Sequence, residues 1–144
     1  MPSMRGRMLV VVLHSGEEAV DCLTRAVREY DIRAAQVVGV GGFSDATLGF
    51  FEPDKQDYRP IPVPGQSEVV SFLGDVAWQD DEPVLHAHAV LGRADGSTRG
   101  GHLLAGTVWP TLEIVITDLS TTLTKRHYAE AGVPLIDLDL PVRP

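Results

Sequence analysis

Hydrophobic residues recur along the chain with two different periods, and the change between them separates one helix from many strands. Residues 15–18 (Ser-Gly-Glu-Glu) fit a capping box, in which a serine hydroxyl and a glutamate carboxylate satisfy first-turn amides. Apolar side chains then follow at helical spacing, at Val20, Leu23, Val27 and Tyr30. The pattern predicts an amphipathic helix from about residue 16 to residue 30.

Apolar runs and two-residue alternation predict strands in most of the remaining chain. The expected strands are residues 8–13, 35–40, 46–51, 67–74, 83–91 and 112–116, with a short last one within 134–140. Residues 41–45 are expected to form a turn or bulge, and three prolines within 59–64 indicate an edge strand or a loop. Many strands and one helix predict an α+β fold with a mixed or antiparallel sheet and a packed helix.

Length and composition indicate one compact domain. The chain has 144 residues, 44% of them hydrophobic, and no repeat or long linker marks a boundary. Cys22 is the single cysteine, so an intrachain disulfide and a Cys-rich zinc site are excluded, which fits a cytoplasmic protein. At the edge of the helical stripe, Cys22 is interpreted as a small residue near the core rather than a reactive thiol.

Two further patterns restrict the class of protein. The apolar run at residues 8–13 follows Arg5 and Arg7, but it is too short for a membrane helix and lacks a signal-peptide cleavage site, so we expect a buried strand and no membrane partner. Twelve Lys and Arg against 20 Asp and Glu give a net charge of −8, which opposes association with a polyanion. Nucleic-acid binding would therefore require a local basic patch, which the sequence does not show.

Three of the five histidines lie close together in the sequence, at His86, His88 and His102. In a strand His86 and His88 point to the same face, because side chains alternate. Residues 92–96 predict a hairpin loop, and a hairpin centred on Asp95 pairs residues whose numbers sum to 190. That register places His88 opposite His102 on the same face. Three imidazoles are therefore predicted to converge.

Converging imidazoles suit a divalent metal such as zinc, because three protein ligands leave one coordination position for water or another ligand. An anion site is an alternative at the same place. Histidines in a strand also hydrogen-bond within the fold or line an interface, so a purely structural role is a further alternative. The residues alone are compatible with metal binding, anion binding and a purely structural role.

Glu68 and Glu113 are candidate catalytic residues because each lies on a strand with apolar neighbours. Glu68 is expected to share a face with Val70 and Phe72, and Glu113 to share one with Thr111 and Val115. A carboxylate in such surroundings needs a hydrogen-bond or charge partner. One interpretation is that Glu68 and Glu113 orient the imidazoles or act as a general acid or base beside a metal. The alternative is that they are structural carboxylates or form ion pairs at an interface.

The chain resembles the PPC domain family (plants and prokaryotes conserved, also called PCC), a family of unknown function, over about residues 5–140. The resemblance is carried by LHSGEE (13–18), GVGGFSDATLG (39–49), EVVSFLG (68–74), HAH (86–88), GGHL (100–103) and TLEI (111–114). It implies an α+β sheet with a packed helix, a homotrimer, and a fold similar to acetolactate decarboxylase, whose zinc is held by three histidines. His86, His88 and His102 occupy the family's three-histidine positions.

The plant relatives also imply a DNA-linked role, but their two motifs are incomplete here. Only Arg5-Gly6-Arg7-Met8 resembles an AT-hook, and it lacks the proline and a second copy. The plant partner-binding motif Gly-Arg-Phe-Glu-Ile-Leu corresponds to GQSEVV at residues 65–70, where Arg and Phe are replaced. Three hypotheses follow: a trimeric module binding a metal or small ligand, a DNA-associated regulatory protein, and a metal-dependent enzyme of unknown substrate.

Overall fold

The structure, a computed structural model, describes residues 7–138 and contains one helix and seven strands in that range. In chain order the elements are β1 (Met8–His14), α1 (Ala19–Glu29), β2 (Ala35–Glu52), β3 (Asp57–Gln79), β4 (Glu82–Gly92), β5 (Thr98–Asp118), β6 (Lys125–Tyr128) and β7 (Val133–Ile136). The first five strands form one antiparallel sheet, and β6 and β7 form a separate hairpin. The predicted α+β fold of a single domain is confirmed.

The large sheet has the strand order β1-β5-β2-β3-β4 and closes partly on itself, because β5 also pairs with β4. The first residues of β5 pair with β4 at Thr98–His102, and the later part of β5 pairs with β1. Strands β2, β3, β4 and β5 therefore form a closed ring of pairings. The later part of β5 also pairs with β1, so the sheet is open at β1. Apolar side chains such as Phe43, Phe72 and Ile114 are fully buried in the resulting core. Within residues 7–138 we find no helix whose length and hydrophobicity would allow it to cross a lipid bilayer.

The segment 41–45, predicted as a turn or bulge, is a pair of β-bulges inside the long strand β2. The register shifts between Gly39 and Gly41 and again between Phe43 and Asp45. Gly41 has a φ of 153°, and a Cβ at this position would lie 2.2 Å from the carbonyl oxygen of Thr111. Only glycine fits here, because the neighbouring backbone of β5 cannot move away without breaking the ladder.

Replacing Gly41 by alanine is expected to destabilise the protein by about 2 kcal/mol or more, because the added methyl group clashes with backbone atoms. The matched control is Gly100→Ala, whose added Cβ would meet its nearest atoms at 3.6 Å, an ordinary contact. Urea unfolding followed by circular dichroism measures both variants. Equal unfolding midpoints for the two variants would show that the bulge does not depend on Gly41.

The proline segment lies at an edge of the sheet, which confirms the edge-strand prediction. Pro60, Pro62 and Pro64 pair with β2 on one side, whereas pairing of β3 with β4 begins only at Glu68. The three prolines occupy alternate positions, so their missing N–H groups all point in the same direction. This arrangement removes donors from an edge that could otherwise pair with another chain.

The predicted start of the helix was wrong. The helix begins at Ala19, and its N-cap is Glu18, whose Oε2 accepts a hydrogen bond from Asp21 N at 2.8 Å. Ser15 instead donates its hydroxyl to the carbonyl oxygen of Pro110, and Gly16 N donates to Val108 O. Contacts with β5 therefore outweigh the local capping signal. Cys22 is half-buried and packs against the core, as predicted.

The side of the open sheet that faces away from α1 carries exposed apolar residues. Six of them, with 47% to 68% of their surface exposed, define what we call the outer apolar face: Met8, Val10, Val12, Val40, Val70 and Leu73. Glu113 lies within this face, because it pairs with Val12 on one side and Val40 on the other. Large exposed apolar patches are common at interaction sites in other proteins.

Candidate metal centre

The β4–β5 hairpin brings the three histidines together in the predicted register. His88 pairs directly with His102, and Gly92 pairs with Thr98, so the numbers of paired residues sum to 190 as expected. His86 lies two residues before His88 on the same face of β4. Because directly opposite residues of an antiparallel pair share a face, all three rings point to the same side of the sheet.

The distances between the rings suit a shared ion. One ring nitrogen from each histidine can be chosen so that all three lie within 4.8 Å of one another. His86 Nε2 lies 3.1 Å from His88 Nε2. Two nitrogen ligands at about 2.0–2.1 Å from a tetrahedral zinc would be separated by about 3.3 Å, close to this spacing. The donor set therefore fits a divalent metal with three nitrogen ligands.

Burial favours the neutral form of the His86 and His102 imidazoles, which is the form that binds a metal. Desolvation is the largest cause that lowers the pKa of His102 to about 4, and the charges of His86, His88 and Lys125 lower it further. Desolvation also lowers the pKa of His86, with Lys125 adding to the effect and Asp75 opposing it. His102 Nδ1 is buried and has no hydrogen-bond partner among residues 7–138. A buried ring nitrogen without a partner is rare and fits a ligand atom or a neighbour of one.

Two residues beside the histidines were not predicted from the sequence. Asp75 on β3 pairs in register with His86, and its Oδ2 lies 3.8 Å from His86 Nδ1, which is too long for a direct hydrogen bond. A carboxylate on the far side of a ligating histidine is the usual means of orienting the ring. Tyr58, at the start of β3, stacks against His102 with 4.3 Å between ring centroids. Both neighbours arise from long-range strand pairing, which local sequence patterns do not specify.

Glu68 and Glu113, the two candidate catalytic residues, are not brought to the histidines within one protomer. Glu68 pairs with Gly92, four residues beyond His88, which corresponds to about 13 Å along the strand. Glu113 shares the outer side of the sheet with His88, but β2 and β3 lie between their strands, and three strand spacings amount to about 14 Å. Both side chains are exposed.

The predicted surroundings of Glu68 were partly wrong. Phe72 is fully buried whereas Val70 is exposed, so Glu68 and Phe72 lie on opposite faces. A bulge between Val69 and Ser71 shifts the alternation by one residue and causes the difference. For Glu113 the expected alternation holds, because Leu112 and Ile114 are buried while Glu113 is exposed.

Sequence comparison identifies the family of this chain. The family model of the Plants and Prokaryotes Conserved (PCC) domain matches residues 2–120. The chain belongs to the PCC family. The match contains the three histidines and the whole sheet of β1 to β5, and it ends before β6.

Solved structures of similar proteins share the fold over almost the whole chain. A plant- and prokaryote-conserved (PPC) protein of Pyrococcus horikoshii is 28% identical, with a TM-score of 0.86 over 95% of this chain and 97% of that chain. A metal-containing protein of Archaeoglobus fulgidus is 26% identical, with a TM-score of 0.85 over 91% and 93% of the two chains. A Bacteroides thetaiotaomicron protein named "putative DNA binding protein" is 26% identical, with a TM-score of 0.87 over 90% and 91%.

A more distant structure supports the predicted fold relationship. A Staphylococcus aureus protein of unknown function, described as similar to alpha-acetolactate decarboxylase, has a TM-score of 0.56 and is 13% identical over 81% of this chain and 54% of that chain. At this identity the likeness concerns the fold alone. No match was found among curated protein sequences.

Two segments of this PCC protein resemble plant DNA-linked motifs. The parts of these segments that the structure describes form hydrogen bonds within the chain. Arg5 and Gly6 lie outside the described residues. Arg7 donates hydrogen bonds from Nε and Nη2 to Asp118 Oδ2, at 3.0 Å and 2.8 Å. Residues 65–70 form part of β3, where Ser67 is buried and accepts a hydrogen bond from Arg93 Nη1 at 2.7 Å.

Proposed function

We propose that this PCC protein is a homotrimeric binding module in which His86, His88 and His102 of each chain hold one divalent metal ion, with zinc the best-suited metal. The observation that carries the proposal is the meeting of three imidazoles on one sheet face, with nitrogens within 4.8 Å of one another. Imidazole nitrogens suit zinc and other late transition metals better than magnesium or calcium, which prefer oxygen ligands. The metal-containing relative from Archaeoglobus fulgidus supports the proposal.

A metal held by three protein nitrogens supplies an open position at which a small ligand is bound and polarised. The protein's own contribution is positional. The rigid β4–β5 hairpin fixes the three rings, Asp75 lies behind His86, and Tyr58 packs against His102. Counting metal ions per chain in protein purified without a metal-affinity tag tests the proposal directly.

The homotrimer is implied by the family resemblance. The outer apolar face is the surface through which we propose that the subunits associate. One side of the open sheet is covered by α1, whereas the other side leaves residues such as Met8, Val10 and Leu73 exposed. Association of identical chains through this face would remove it from water. Leu73 is the direct register partner of His88, so the face adjoins the metal centre. The proposed cytoplasmic location rests on the single cysteine.

A DNA-associated regulatory role is the second candidate, favoured by the Bacteroides thetaiotaomicron relative. The charge of −8 opposes it, since DNA affinity depends on neutralising phosphates with Lys and Arg. A metal-dependent enzyme on a decarboxylase-like fold is the third candidate. Because Glu68 and Glu113 lie away from the histidines within one chain, either residue could serve catalysis only from a neighbouring subunit.

The isolated protein is expected not to bind duplex DNA specifically at physiological salt. Any binding at low salt should be weak and should decrease steeply as salt rises, because counterion release governs phosphate contacts. Titration of labelled A·T-rich and G·C-rich duplexes at two salt concentrations measures this. Tight binding that survives the higher salt and prefers one sequence would promote the regulatory role to first place.

A further inference from the structure

Asp75 is a half-buried carboxylate that lies opposite one of the three histidines. The β3–β4 register pairs Asp75 with His86 and Leu73 with His88, so β3 places a carboxylate beside the first histidine and an apolar side chain beside the second. Directly opposite residues of an antiparallel pair share a face, and Asp75 therefore belongs to the same side of the sheet as the histidines. Its Oδ2 lies 3.8 Å from His86 Nδ1.

The backbone holds β3 close to β4 at this point. A Cβ at Gly74 would lie 2.6 Å from the carbonyl oxygen of His86, so only glycine fits there. The next residue, Asp75, is thereby held beside His86 by the strand ladder rather than by a loop. Rotation of either side chain can then shorten the 3.8 Å separation by the roughly 1 Å that a hydrogen bond requires.

The carboxylate of Asp75 lacks a hydrogen-bond donor on one of its oxygens. Within residues 7–138 the buried Oδ1 atom accepts no hydrogen bond, and His86 is the single ion-pair partner of Asp75 within 4.0 Å. A buried carboxylate oxygen without a donor costs free energy, so the group is stabilised by a donor beside it. His86 Nδ1 is such a donor when it carries a hydrogen.

The hydrogen bond between His86 and His88 allows two arrangements of hydrogens. The two Nε2 atoms are 3.1 Å apart, so one of them carries a hydrogen. If His86 Nε2 carried it, a neutral His86 would present the lone pair of Nδ1 to the Asp75 carboxylate, which only accepts hydrogen bonds. If His88 Nε2 carries it, His86 has its hydrogen on Nδ1 and directs it towards Asp75. The second arrangement is favoured because it replaces repulsion by attraction.

We propose that Asp75 is a positioning residue, which holds His86 with the hydrogen on Nδ1 and leaves Nε2 free to bind the metal. This inference rests on the proposed metal centre and adds to it a residue that is not itself a ligand. A carboxylate that orients a ligating imidazole in this way contributes about 10- to 100-fold to metal affinity. A carboxylate with a purely structural role would leave the His86 tautomer unchanged when an amide of the same shape replaces it.

The test compares the full-length wild type with Asp75→Asn, which keeps the size of the side chain but replaces a group that only accepts by one that also donates. Asp45→Asn is the matched control, since Asp45 is exposed and lies on β2. Nitrogen-15 NMR of histidine-labelled, chelator-stripped protein at about pH 8, where free imidazole is neutral, shows which ring nitrogen of His86 carries the hydrogen. The His86 signals are those missing from His86→Ala. Competition against a chelating dye then gives the zinc affinity of the same proteins.

In the wild type and in Asp45→Asn we expect His86 to carry its hydrogen mainly on Nδ1. In Asp75→Asn the form with hydrogen on Nε2 should become more populated, because the amide accepts or donates equally well. The zinc affinity of Asp75→Asn should fall about tenfold or more, whereas that of Asp45→Asn should equal the wild-type value.

The possible results separate this inference from the metal centre itself. A wild-type His86 with its hydrogen on Nε2, an unchanged tautomer in Asp75→Asn, or equal zinc affinity in the wild type and Asp75→Asn would overturn the positioning role and leave the metal centre intact. A wild type that binds no zinc would overturn the metal centre, while the NMR measurement still decides whether Asp75 fixes the tautomer. If Asp75→Asn does not fold, Asp75→Ala takes its place, and a wild-type tautomer in that variant would overturn the role equally.

Discussion

Replacing His88 by alanine is expected to abolish stoichiometric metal binding. His88 is central to the site, since it pairs in register with His102 and its Nε2 lies 3.1 Å from His86 Nε2. Loss of one of three ligands should weaken zinc affinity by more than about 100-fold, because even residues that only orient a ligand typically contribute 10- to 100-fold. Competition for zinc against a chelating dye measures the affinity of wild type and variant.

The matched control for this prediction is His127→Ala, since His127 is exposed on β6 and is not one of the three grouped histidines. That variant should bind zinc like the wild type. Circular dichroism should show the same fold for both variants, because His88 is exposed and its ring contributes little to the core. Wild-type zinc affinity in His88→Ala would exclude His88 as a ligand.

Replacing Val10 by aspartate is expected to convert the proposed trimer into monomers. Val10 is 64% exposed in the single chain and lies in the outer apolar face, opposite Val115 of β5. In a trimer formed through this face, each subunit would bury an unpaired carboxylate, which costs several kcal/mol. Light scattering at micromolar concentration should give three times 15.6 kDa for the wild type and one chain mass for the variant.

The control for the trimer prediction is Leu119→Asp, because Leu119 is similarly exposed but follows β5 and lies outside the outer apolar face. This variant should remain a trimer. A monomeric wild type would contradict the homotrimer, and a trimeric Val10→Asp would show that the subunits associate through another surface.

The sequence predicts the convergence of the three histidines correctly, because a short hairpin determines their geometry. The loop between β4 and β5 is short, so a register centred on Asp95 pairs His88 with His102, and alternation adds His86. All three positions depend on residues within a single hairpin. Alternation of this kind is robust because a slip of one residue would turn every side chain to the other face.

Local patterns fail where distant segments meet. Asp75 comes to lie beside His86 only through the register of β3 on β4. The capping signal at Ser15 is overridden because Ser15 and Gly16 bond to β5 instead. A bulge after Val69 likewise reverses the face on which Phe72 lies relative to Glu68. Each of these features is a tertiary interaction without a local sequence signature.

We expect His86, His88 and His102 to hold one divalent metal ion, and native mass spectrometry of protein reloaded with zinc measures this. The protein is produced without a metal-affinity tag, stripped with a chelator, reloaded and freed of excess zinc by gel filtration. We expect one zinc per chain, hence three per trimer, in the wild type and none in His88→Ala. A reloaded wild type that carries no zinc would exclude zinc binding by the three histidines and leave them with a structural role.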